Sequence, residues 1–98
     1  MTNRKNIEHW LETDCNAWND TRLNLISSNS LEYRWHLTTM GTEYEIEYSD
    51  LGYIALSSLP CSGYLTSEVR EIYQGDTSEQ SYRSMISILA DNFSNSWI

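Results

Sequence analysis

Between Leu31 and Tyr48 the chain alternates apolar and polar residues with a period of two, and this pattern restricts its fold more than any other feature. Leu31, Tyr33, Trp35 and Leu37 share one parity, and Glu32, Arg34, His36 and Thr38 share the other. Tyr44, Ile46 and Tyr48 then alternate with Glu43, Glu45 and Glu47. Successive side chains of a strand point to opposite faces, so each run predicts a strand with one buried and one wet face. Gly41-Thr42 lies between the runs, and Gly at the first central position suits a type II′ hairpin turn. With those two residues as the turn, Met40 is expected to face Glu43, Leu37 to face Ile46, and Trp35 to face Tyr48. On the other side His36 would meet Glu47 and Thr38 would meet Glu45. Both faces then sort by polarity, which a slip of one residue would destroy.

The flanking segments read differently. From Arg4 to Ile26, Ile7, Trp10, Leu11, Cys15 and Trp18 recur at helical spacing, with Leu25 and Ile26 continuing roughly in phase, so one helix or two is expected. Ser27-Ser28-Asn29-Ser30 reads as a loop. Asp50-Leu51-Gly52 predicts a second turn, and Tyr53 to Leu59 a third strand ending at Pro60. Thr66 or Ser67 would cap a short helix through Val69, Ile72 and Tyr73, stopped by Gly75. Asp76 with Glu79, or Thr77 with Gln80, would form a capping box for a last helix. That helix carries Tyr82, Met85, Ile86, Leu89 and Phe93 on one stripe.

The expected fold is therefore α+β, a two-layer sandwich of N-terminal helix, three-stranded antiparallel meander, then a short and a long C-terminal helix (α-β-β-β-α-α). In element order alone this resembles the double-stranded-RNA-binding fold, but the basic docking residues of that family are not found here, so the likeness implies nothing about function. At 98 residues the chain suits a single domain, residues 1–98.

Fourteen acidic residues face six basic ones, for a net charge of −8. Such a surface repels phosphate backbones and anionic membranes and attracts basic partners, so direct nucleic-acid or membrane binding is not expected. Acidity that only maintains solubility is the competing reading. The segment from Met1 has no apolar run of the kind a secretory signal needs, and a cytoplasmic location is expected (a host cytoplasm if the chain is phage-encoded). Cys15 and Cys61 are then expected to be free thiols.

The residue pattern offers little for catalysis. Cys15, Cys61, His9 and His36 form no ligand-like spacing, so no metal site or other cofactor is expected. No nucleophile elbow, P-loop or dinucleotide motif occurs. Glu43, Glu45 and Glu47 share one strand face, but hydrolytic carboxylates need a cleft and contrasting environments, which an open strand face lacks. No catalytic residue is assigned.

Those three glutamates stand roughly 6.8 Å apart along the strand, twice the rise of about 3.4 Å per residue. Asp50 and Glu32 extend the row, and Glu8 with Glu12 adds a like-charged i, i+4 pair on the first helix, an arrangement that slightly disfavours the helix. Glu32, Glu43, Glu45, Glu47, Asp50, Glu8 and Glu12 are the candidate partner-binding residues. Together they suggest a small acidic binding protein, monomer or homodimer, that inhibits a nucleic-acid-handling complex by occupying its basic surface. Phage-encoded anti-CRISPR and anti-restriction proteins are small acidic proteins of this kind. The alternatives are an immunity protein or antitoxin for a cognate toxin, and an acidic chaperone or adaptor.

Overall fold

The computed structural model describes residues 4–18, 21–29, 31–39, 42–59 and 70–95. The elements are α1 (Arg4–Asn16), β1 (Thr21–Ser28), β2 (Glu32–Thr39), β3 (Thr42–Ser49), β4 (Tyr53–Ser58), β5 (Arg70–Gly75) and α2 (Glu79–Asn95). All five strands belong to one antiparallel sheet in the order β1-β2-β3-β4-β5, each strand pairing with its neighbours in sequence. The class is α+β, but the expected three-stranded meander with two C-terminal helices is incorrect: the order is α-β-β-β-β-β-α.

Both extra strands come from segments read as helix. Leu25 and Ile26 continue in phase with the first helix, yet Thr21, Leu23 and Leu25 also alternate with Arg22 and Asn24. Sheet pairing decides between the two periods: Leu23 faces Leu37 and Leu25 faces Trp35 across β2. Ser27 and Ser28, expected in a loop, are the last residues of β1. The turn begins at Asn29, whose Oδ1 accepts the amides of Leu31 and Glu32 at 2.8 and 2.9 Å. At the other edge, Ile72 and Tyr73 are adjacent and both pack against the core. A strand brings both inward only through a register shift, and one occurs opposite Leu56/Ser57. Gly75 ends this strand rather than a helix. Of the short helix, residues 66–69 lie outside the described residues.

The central hairpin forms, but two residues away from its expected register. Trp35 faces Ile46, Leu37 faces Tyr44, and Thr39 faces Thr42. Tyr48 faces Tyr33 rather than Trp35, His36 faces Glu45, and Thr38 faces Glu43. A shift of two keeps every side chain on its face, so polarity patterning cannot distinguish the two registers. Thr39 and Thr42 flank Met40 and Gly41, which lie outside the described residues together with the expected turn type. In the second hairpin Ser49 faces Tyr53, leaving Asp50-Leu51-Gly52 as a three-residue connection. Gly52 has a φ of +114°, which a side chain would resist, and its amide donates to the Ser49 carbonyl at 3.0 Å.

One face of the sheet carries the core. Trp35, Leu37, Tyr44, Ile46, Tyr48, Ile54 and Leu56 are buried there, against Ile7, Leu11 and Cys15 of α1 and Tyr82, Met85 and Leu89 of α2. Ile86 is half-buried, and the Phe93 side chain lies outside the described residues, as do Cys61, Trp97 and Ile98. Cys15 is a free, buried thiol. The cap of α2 also differs from expectation. Ser78 is the N-cap, its Oγ accepting the Ser81 amide at 3.1 Å, while Asp76 accepts the Ser78 amide at 2.9 Å. No helix among the described residues is long and apolar enough to cross a membrane.

Candidate functional site

Because the core residues of both helices pack on one side of the sheet, the parity of β2 and β3 directs their charged residues to the opposite, open side. Rows of paired residues cross that side, with neighbouring strands roughly 4.8 Å apart, and Glu32, Ser49 and Tyr53 form the one beside the second hairpin's turn. Asn24, His36, Glu45, Ser57 and Glu71 form one row. Ser27, Arg34, Glu47, Ala55 and Gln74 form the second, and Arg22, Thr38 and Glu43 the third.

Arg34 is the centre of the charge pattern. Its guanidinium nitrogens lie 3.8 Å from Glu32, 3.9 Å from Glu45 and 3.9 Å from Glu47. These separations exceed hydrogen-bonding distance, so the attraction is electrostatic rather than a bidentate fork. Arg34 Nε is shielded from solvent with no hydrogen-bond partner among the described residues. His36 Nε2 lies 3.4 Å from Glu43. The Tyr53 hydroxyl donates to Glu47 at 3.0 Å, and that bond to a carboxylate raises the phenol above its ordinary pKa. Carboxylates thus dominate the face, and one arginine holds three of them together.

The seven candidate residues divide between two places. Glu32, Glu43, Glu45 and Glu47 are brought together on the open face, and Asp50 is exposed in the turn at the end of β3. Glu8 and Glu12 belong to α1, on the far side of the sheet, where they line a separate shallow cleft of about 170 Å³. They cannot share one flat contact with the glutamate row. Sequence reasoning also missed Arg22 and Glu71 on the open face, since both fell in segments read as helix. The alternation of Thr21 to Leu25 was the available signal for Arg22.

Of the described tryptophans, Trp10, Trp18 and Trp35, none is aligned with the acidic face. Trp10 is half-buried against Tyr82, ring centroids 5.2 Å apart, with the Arg83 guanidinium 5.8 Å from its centroid. Trp18 packs against the core. Among the described residues, no group of three or more His, Cys, Asp or Glu side chains is placed to hold a metal ion.

Fold and face together define an α+β protein with an open, carboxylate-rich antiparallel sheet. Compared with known proteins, the chain matches no family model, no curated protein and no solved structure at a significant level.

Proposed function

We propose that this protein acts by binding rather than by catalysis, as an inhibitor that occupies the basic nucleic-acid-binding surface of another protein or complex, in the manner of phage anti-CRISPR or anti-restriction proteins. The observation that carries the reading is the open sheet face, where Glu32, Glu43, Glu45 and Glu47 stand together on β2 and β3 while both helices pack on the other side. Across that face Glu71 makes a fifth carboxylate, against the guanidinium groups of Arg22 and Arg34. The chain as a whole adds a net charge of −8.

A lysine- or arginine-lined groove would be drawn to such a face over roughly a Debye length, about 8–10 Å at physiological salt. Steering of this kind acts mainly on the association rate. The central arginine gives the face a second property: it holds Glu32, Glu45 and Glu47 in place, so less side-chain freedom is lost on docking. The partner is a basic protein surface, with no nucleic acid and no membrane in the contact.

The test is competition. CRISPR effector and restriction complexes are assayed for DNA binding with and without this protein, alongside the Glu43→Lys/Glu45→Lys variant. Wild type should displace DNA from its target, less effectively as salt rises, and the variant should fail while remaining folded by circular dichroism. A target whose affinity is indifferent to both salt and charge reversal would show that the acidic face serves solubility alone.

A further inference from the structure

β1 is an edge strand, on whose outer side no other strand pairs among the described residues. Leu23 and Leu25 point to the helix side of the sheet, yet α1 does not seal them: Leu25 is 49% exposed. Beside them, between α1 and β1, lies the cleft of about 170 Å³. Cys15, Leu23, Leu25 and Trp35 form its apolar side, Glu8, Glu12, Asn16 and Thr21 its polar side, and no Lys, Arg or His lines it. Small-molecule sites are typically larger, roughly 300–1,000 Å³. This volume suits one aliphatic side chain.

An edge strand offers unpaired backbone groups to an incoming extended segment, and pockets beside the edge select its alternate side chains. The register shift between Leu25 and Ser27 limits regular pairing to Thr21–Leu25. At the other edge β5 has six residues, its own irregularity, and the charged Arg70 and Glu71 at its start, so it is the poorer template.

We propose that β1 binds a short extended segment of a basic partner protein by strand addition. One aliphatic side chain enters the cleft, and the lysine or arginine two residues away on the same face reaches Glu8 and Glu12. Charge selects this occupant over a second copy. Two chains of net charge −8 joined edge to edge would bring two sets of Glu8 and Glu12 together. The site is separate from the glutamate row, so it stands or falls independently of the proposed inhibition.

The probe is the capped peptide Thr-Lys-Thr-Ile-Thr-Lys-Thr, which as a strand presents Lys, Ile and Lys on one face. It is titrated into the ¹⁵N-labelled protein, beside a scrambled peptide of the same composition and charge with its lysines adjacent. The expected result is chemical-shift change at the Thr21–Leu25 amides and the Trp35 indole, with slowed amide exchange in β1. Removing two surface ion pairs with Glu8→Gln/Glu12→Gln should weaken binding up to about tenfold. Glu43→Gln/Glu45→Gln should leave it unchanged. Equal binding of the scrambled peptide, shifts confined to the Glu43–Glu47 strand, or no binding at millimolar peptide would each overturn the proposal. So would sedimentation as a dimer that Leu25→Lys dissociates, because a second copy would then be the occupant.

Discussion

The Tyr82 hydroxyl donates to Asp14 Oδ2 at 2.6 Å and so joins the two helices across 68 positions of sequence. Arg83 reaches the same carboxylate oxygen at 3.2 Å and stacks within 5.2 Å of the Tyr82 ring centroid. Tyr82 is fully buried, so its hydroxyl needs this partner. Tyr82→Phe should lower unfolding free energy by about 1.5–3 kcal/mol, the usual range for a bond to a charged group. Urea denaturation measures it. A double-mutant cycle with Asp14→Ala should show strong coupling, and simple additivity would mean that the bond contributes nothing.

Alkaline pH should weaken the fold through two groups. Burial, with Asp14 nearby, raises the Cys15 thiol to about 11, and burial with the Asp14 bond raises the Tyr82 phenol further still. Above their ordinary values the unfolded chain loses these protons while the folded chain keeps them, so stability falls as pH rises. The loss should begin near the thiol's ordinary value of 9.0 and be joined by the phenol's above 10.0. Cys15→Ala should flatten the pH dependence between 9 and about 11. Chemical denaturation at stepped pH would refute this by giving parallel curves for the two proteins.

Arg34→Met should destabilise by about 1–2 kcal/mol, more than the 0.2–1 expected for an isolated exposed pair, because three carboxylates lose one shared counterion. Added salt should recover part of the loss by screening the repulsion that remains. Melting temperatures compared at low and high ionic strength decide the matter, and a salt-independent deficit would assign the effect to lost packing instead.

The start of α2 predicts a response to acid. Hydrogen bonds from Ser78 and Ser81 hold the Asp76 carboxyl down at about 2, against an ordinary 3.8. A depressed value stabilises the fold above 3.8 and loses that contribution as pH falls toward about 2. Asp76→Asn should be less stable than wild type at neutral pH and converge with it over that interval. Ser78→Ala removes both the cap and its hydroxyl's bond to Asp76, so it should cost about 0.5–2 kcal/mol at neutral pH and less as Asp76 takes up its proton.

Leu37 and Ile46 are fully buried on adjacent strands. Replacing either with Ala should cost about 2–5 kcal/mol, depending on how far the core collapses. Nuclear Overhauser contacts between the Trp35 and Ile46 backbones, rather than Trp35 and Tyr48, would verify the register.

Legibility in the sequence followed the strength of local patterning. The alternation from Leu31 to Tyr48 showed both central strands, their inner and outer faces, and therefore the company of Glu32, Glu43, Glu45 and Glu47. It left the pairing two residues out, because face polarity repeats with that same period. The stripe of Tyr82, Met85 and Leu89 showed the last helix. The two edge strands stayed hidden because short apolar sets such as Leu23, Leu25 and Ile26, or Ile72 and Tyr73, fit either period. Only pairing with β2 and β4 settles them, and that is a long-range effect. The same ambiguity concealed Arg22, Glu71 and the cleft beside Glu8 and Glu12.

The strictly sequential strand order has a kinetic consequence. Each of the four pairings joins sequence neighbours, most of them across turns of a few residues, so little chain entropy is lost at any one step. The sheet is therefore expected to zip hairpin by hairpin. The Tyr82–Asp14 bond must instead close a separation of 68 positions in a chain of 98. Docking of the terminal helices becomes the late, slow event, and substitutions at that junction should accelerate unfolding far more than they retard folding.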